Sequence, residues 1–161
     1  MSIFEQRDHV FVDESKSRGY VLAAATVSPE DAAQTDKDLR GLTRPGQSRI
    51  HFKSESAPSR RSSLSRMSEL DLRAQIYVVR GRPDREARAL CLRTLVSDLA
   101  NAKAARLIIE HDYLEKLGYE HAFPSQHAML WVSDAVAWCH QAGGEWIKRA
   151  APLVGEVIRL G

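Results

Sequence analysis

The strongest constraint on the fold is a pair of apolar runs joined by a short polar turn near the start of the chain. His9-Val10-Phe11-Val12-Asp13 is apolar on both faces, as a central strand must be. Glu14-Ser15-Lys16-Ser17-Arg18-Gly19 is polar and ends in glycine, and Tyr20 to Val27 is again uncharged and largely apolar and returns as a second strand. Everything that follows has to pack on this hairpin. Ser28 is a natural cap, Pro29 suits a first helical turn and Asp31 adds favourable negative charge, so a helix is expected to about Leu42. A loop at 43–48 precedes the short Ile50-His51-Phe52-Lys53 element and a helix from about Pro58 to Leu70. Leu72 to Val79 reads as a buried strand. Asp84 to Ala102 carries Ala87, Leu90, Cys91, Leu95, Leu99 and Ala102 at helical spacing.

Ala105 to Glu110 is a further strand, and Asp112 to Ala122 a loop or short helix. Pro124 is expected to open a long apolar helix closed by Gly143-Gly144, and the tail from Glu145 to Gly161 to be helical around Pro152. A hairpin followed by strand–helix–strand units makes an α/β domain, a mixed sheet flanked by crossover helices. The 161 residues, 43% hydrophobic and without a visible repeat, fit one domain over 1–161. The longest uncharged apolar run, Val21 to Val27, is far short of the roughly 20 residues a membrane helix needs. The first eight residues lack a signal-peptide pattern. Cys91 and Cys139 have no CxxC spacing and read as buried thiols in a reducing compartment, so a cytoplasmic location is expected.

Two acids fall in expensive places. Asp13 ends the first strand, and Asp134 interrupts the apolar helix Met129-Leu130-Trp131-Val132-Ser133-Asp134-Ala135. If the strands at His9, Leu72 and Leu107 run the same way, their carboxyl ends share one sheet edge, where ligands of open α/β sheets gather. Glu110 sits at another such end. Two carboxylates about 4 Å apart repel by about 4 kcal/mol at an effective dielectric of about 20, so a proton or a cation must sit between them. Mg²⁺ and Mn²⁺ prefer oxygen ligands and activate water against phosphodiesters. Each acid also has an ordinary reading, as a turn starter, an ion-pair partner or a polar strand end. The tryptophans at 131, 138 and 146 read as core rather than stacking platforms.

The net charge of +2 is unevenly spread. Arg40, Arg44, Arg49, Lys53, Arg60, Arg61 and Arg66 lie in one segment with Glu55 as the single acid, either a phosphate-tracking surface or a solvated face.

Val12-Asp13-Glu14-Ser15, the element Ile50-His51-Phe52-Lys53, the strand end Ile108-Ile109-Glu110 and the helix Leu130-Trp131-Val132-Ser133-Asp134-Ala135-Val136-Ala137 follow one another in an order that resembles the DUF3800 proteins, an uncharacterised family with a ribonuclease H-like fold. The similarity runs from about Val10 to Arg149. Arg49 stands where the family has an acid, Lys16 where it has glycine, and Glu110 where it has the shorter aspartate; Glu14, Glu55 or Asp112 are the residues able to compensate. The resemblance implies a ribonuclease H-like domain with a metal-dependent nuclease centre built from Asp13, Glu110 and Asp134, with Glu14 as a further ligand. On this reading the chain is a Mg²⁺- or Mn²⁺-dependent hydrolase of RNA or DNA. His51 and Lys53 contact the scissile phosphate or assist proton transfer, and Arg44, Arg49, Lys53, Arg60 and Arg61 hold the backbone. The alternative is an inactive ribonuclease H-like module that binds nucleic acid or protein, with Arg49 neutralising the acids. A third is a partner subunit of a larger assembly, for which an exposed Trp146 would be the mark.

Overall fold

The protein is described by a computed structural model covering residues 2–110 and 120–161, with the backbone alone for 110, 120 and 121. Six strands form one sheet: β1 (His9–Ser15), β2 (Tyr20–Val27), β3 (Arg73–Val79), β4 (Arg106–Glu110), β5 (Glu120–Ala122) and β6 (Val154–Leu160), in the order β5-β4-β1-β2-β3-β6. β2 is antiparallel to both β1 and β3, while β1–β4, β4–β5 and β3–β6 pair in parallel. Among the described strands, β2 therefore runs alone against the other five. The carboxyl ends of β1, β3 and β4 do share an edge, as the sequence suggests. The hairpin turn needs Gly19, whose φ of 86° favours glycine and whose added Cβ would meet the Val79 carbonyl oxygen at 3.0 Å.

Helices α1 (Ala32–Arg40), α2 (Ala57–Ser68), α4 (Met129–Ala142) and α5 (Glu145–Ala150) accompany one core, and α3 (Asp84–Ala102) the other. Strand alternation decides which residue enters which. Phe11, Val21, Ala23, Ala25 and Ile76 meet α4; Val10, Val12, Tyr20, Leu22 and Tyr77 meet α3. On the α3 side Tyr77 donates to Asp98 Oδ2 at 2.5 Å, and Gln75 donates to the Tyr77 hydroxyl at 3.1 Å. Burial, and then the bond to Asp98, push the Tyr77 hydroxyl far above its ordinary pKa, so it stays a neutral donor.

Four expectations change. The first helix begins at Ala32 rather than near Ser28, because Ser28 and Asp31 close a turn on each other: the Asp31 amide reaches Ser28 O at 3.2 Å and its Oγ at 3.3 Å. Pro124 does not open α4. It sits in a turn in which the Phe123 amide donates to Gln126 Oε1 at 2.7 Å, and the helix starts at Met129 with the Ala128 amide held by Asp36 Oδ1 at 2.9 Å. The tail is helical only to Leu153, after which β6 adds to the sheet beside β3. Close to its start Gly155 leaves room for Ile3, whose Cγ2 would lie 2.2 Å from a Cβ there. The segment expected as loop or short helix ends in β5, and its residues 111–119, with Asp112, lie outside the described residues.

Among the described residues no helix is long and apolar enough to cross a membrane. Cys91 and Cys139 are free and buried, and burial pushes both thiols up to about 12.

Candidate metal centre

The register of β1 and β4 places two of the three expected acids side by side along the backbone. Val12 pairs with Ile109, and the next residue on each parallel strand is Asp13 or Glu110. Asp13 follows Phe11 by two residues and so lies on the α4 face, half-buried; its Oδ1 accepts the Glu14 amide at 2.7 Å. The helix carrying Asp134 lies along β1. Ser133 is fully buried and donates from Oγ to the Phe11 carbonyl at 2.6 Å, and two turns later Gln141 Nε2 donates to Ser15 O at 3.0 Å. These contacts hold α4 against the strand that carries Asp13.

Asp134 itself is half-buried and accepts the Phe52 amide on Oδ2 at 2.8 Å. Phe52 is fully buried in a short 3₁₀ turn, Phe52–Ser54, which Arg60 braces from α2. The Arg60 guanidinium donates to Phe52 O at 2.8 Å and to Lys53 O at 3.1 Å while lying 4.0 Å from the Trp138 ring centre. Sequence reading did not find these supports. A lone serine in an apolar helix was the available signal for Ser133; a backbone amide such as that of Phe52 leaves none.

The Phe52 amide makes Asp134 separable from a plain ion-pair partner. Asparagine keeps an oxygen acceptor at this position and alanine does not, so Asp134→Asn is expected to leave stability unchanged or raised in metal-free buffer. Asp134→Ala should cost about 1–3 kcal/mol by stranding a buried N–H. Urea midpoints check both, and a loss above about 2 kcal/mol for asparagine would mark a buried structural charge pair instead.

Other expected site residues are placed elsewhere. Glu14, expected as a further ligand, faces α3, where its carboxylate accepts the Tyr20 hydroxyl and pairs with Lys16 at 3.1 Å and Arg88 at 3.5 Å. One residue's step along a strand turns a side chain to the opposite face, and that separates Glu14 from Asp13. Glu55 cannot compensate for Arg49, because it is buried between Arg44 at 3.2 Å and Gln47 at 3.1 Å. Much of the basic segment has internal employment: Arg44 holds Glu55, Arg60 braces the Phe52 turn, and Arg61 pairs with Glu145 at 3.2 Å. Arg40 pairs with Asp36 at 2.6 Å. His51 and Lys53 are exposed on either side of Phe52, and Arg49 is half-buried just before them.

Trp131 is core as expected, whereas Trp138 and Trp146 are half-buried and meet edge to face at 5.4 Å. Trp146 is thus packed rather than presented. Among the described side chains, no three His, Cys, Asp or Glu groups come together as a metal site; the Glu110 side chain lies outside that description.

Among solved structures, a crystal structure of a mutant Bst-RNase HIII matches with TM-score 0.58 and 17% identity, over 93% of this chain and 57% of that one. The fold is ribonuclease H-like. The ribonuclease H-like sheet is the mixed one described above, with helices on both faces. This chain spans little more than half of the RNase HIII chain, and identity this low carries the fold alone. No family model matches the sequence, and no curated protein does.

Proposed function

We propose that this chain is a divalent-metal-dependent nuclease of the DUF3800 type, acting on RNA or DNA phosphodiesters. What supports the reading is that Asp13 and Glu110 follow the paired residues Val12 and Ile109 of adjacent parallel strands, and that the helix carrying Asp134 packs along β1. Asp13, Glu110 and Asp134 offer oxygen donors only, which suits Mg²⁺ or Mn²⁺ rather than a softer metal. Both described aspartates are half-buried, so an ion held there would keep some of its waters. When bound, the metal supplies Lewis acidity and a water more acidic than bulk.

The chain's own residues set the geometry for that chemistry. The Phe52 and Glu14 amides orient the two aspartates, and the Ser133 and Gln141 bonds keep α4 aligned with β1. Exposed His51 and Lys53, flanking Phe52, are the groups proposed to meet the phosphate and to assist proton transfer from the attacking water or to the leaving oxygen.

The test is a mixed panel of single-stranded, duplex and hybrid substrates with Mn²⁺. Cleavage stopped by EDTA is the expected result, and cleavage indifferent to EDTA would refute the reading. A second reading has one observation in its favour. Arg49 stands half-buried on the segment that reaches Asp134 through Phe52, where a guanidinium could take the place of a metal charge. That reading is an inactive ribonuclease H-like module, which would bind nucleic acid or protein regardless of metal and cleave nothing.

A further inference from the structure

A second concentration of positive charge lies at the carboxyl ends of β3 and β6 and in the β1–β2 turn. Tyr20 pairs with Val79 and Val78 with Arg159, so the turn, Arg80 and the end of β6 are neighbours. Arg80 donates to the Arg18 carbonyl, and Gly19 passes so near that an added Cβ would lie 3.1 Å from Arg80 Cγ. Arg18, Arg80 and Arg159 are exposed, and no carboxylate among the described residues pairs with any of them. This separates them from Arg40, Arg44 and Arg61, whose charges are paired. Asp84 and Glu86, the acids that follow in the chain, sit in the first turn of α3 and complement its dipole.

The carboxyl-terminal end of α4 lies over this patch. Gln141 Nε2 donates to both Ser15 O at 3.0 Å and Gly19 O at 3.1 Å. Half-buried His140 has its pKa lowered by burial first and then by Arg80 and Arg159, so both guanidiniums project their charge onto the imidazole. From Gln141 back to Asp134 is seven residues, about 10 Å of helix. In a duplex each strand rises about 3.4 Å of helix axis per phosphate, so the interval corresponds to an axial rise of about three nucleotides.

We infer that Arg18, Arg80 and Arg159 form the surface that carries a nucleic-acid backbone, leading the strand along α4 to the edge where Asp13 and Asp134 lie. The inference rests on the proposed phosphodiesterase reading for its choice of polyanion. Contact is to phosphates, so binding is salt-sensitive and nearly indifferent to sequence.

The test is fluorescence anisotropy of a labelled single strand in EDTA, across a salt series, with thermal midpoints confirming that each variant is folded. The double variant Arg80→Ala/Arg159→Ala should bind at least about tenfold more weakly at low salt, and its log–log salt slope should be shallower by about 1.4. Arg80→Lys/Arg159→Lys should keep most of the affinity, and Arg7→Ala, whose charge is paired with Glu30, should leave the slope unchanged. Wild-type affinity and slope in the Arg80→Ala/Arg159→Ala protein would overturn the inference. Binding of wild type to phosphatidylserine vesicles but to no strand would overturn it too, in favour of a membrane surface. Asp134→Asn, read in parallel, separates the two claims. If strands bind through these arginines and no condition cleaves them, the nuclease reading fails alone; if cleavage needs Asp134 while Arg80→Ala/Arg159→Ala binds normally, the inference fails alone.

Discussion

Replacing Asp13 or Asp134 by asparagine should reduce Mn²⁺-dependent cleavage by on the order of 10³-fold, because a metal's charge stabilisation of a phosphoryl transition state is worth several kcal/mol. Asparagine is the informative change at both positions. It preserves shape and an oxygen acceptor for the Glu14 and Phe52 amides, so the strand end and the 3₁₀ turn stay in place. What it removes is negative charge. The double variant should be barely worse than either single one, since groups that hold one ion act as a unit. Glu14→Gln gives the contrast. Glu14 belongs to the Tyr20–Arg88 network on the opposite face, so its loss should appear in stability before activity. Single-turnover rates on whichever substrate of the panel is cleaved provide the measurement. Undiminished cleavage by the double aspartate variant would remove these residues from the chemistry.

Trp131→Ala should destabilise the fold by about 3–5 kcal/mol, a large share of the roughly 5–15 kcal/mol that holds a domain together. Trp131 is 1% exposed, and its indole N–H donates to Pro124 O at 2.8 Å. The Arg40 guanidinium lies 5.6 Å from its ring centre. Truncation would leave a cavity beside Arg40 and the turn at Pro124, and deprive Pro124 O of its donor at once. The adjacent turn and the start of α4 would loosen together, and Asp134 lies three residues further along the helix. Trp131→Phe should cost much less, as most of the volume remains. Urea unfolding gives both values; a loss below about 1 kcal/mol for alanine would show that the α4 interface is not packed as described.

The parts of the fold that could be read from the chain are those with strong periodicity and clean punctuation. The hairpin was visible because Val10–Val12 and Tyr20–Val27 are apolar on both faces and Gly19 marks the turn. Helix α3 runs from Asp84 to Ala102 as expected, its stripe of Ala87, Cys91, Leu95 and Leu99 bounded by Pro83 and by Lys103 in a left-handed cap. β6 was not legible. Pro152 lies just before it and Gly155 within it, its residues are mostly half-buried, and it takes its place only by pairing with β3, far away in sequence. β5, at three residues, is too short to show a period.

The candidate site divides in the same way. Asp13 and Asp134 stood out because a carboxylate beside a core is costly, and that argument needs only neighbours in sequence. The allocation of Glu14 to the other face follows from the pleat, which its adjacency to Asp13 in the sequence does not display. A charge count cannot tell Arg44, which serves Glu55, or Arg60, which braces Phe52, from Arg80 and Arg159, which are adjacent only across the sheet.

The most direct test is a titration of Mn²⁺ into the wild-type protein and into Asp13→Asn/Asp134→Asn, followed by electron paramagnetic resonance of the free ion with no substrate present. Saturable uptake by the wild type and its loss in the double variant, with both proteins equally folded, is the expected result. Equal uptake by the two proteins, or none by either, would contradict a metal centre at this edge of the sheet.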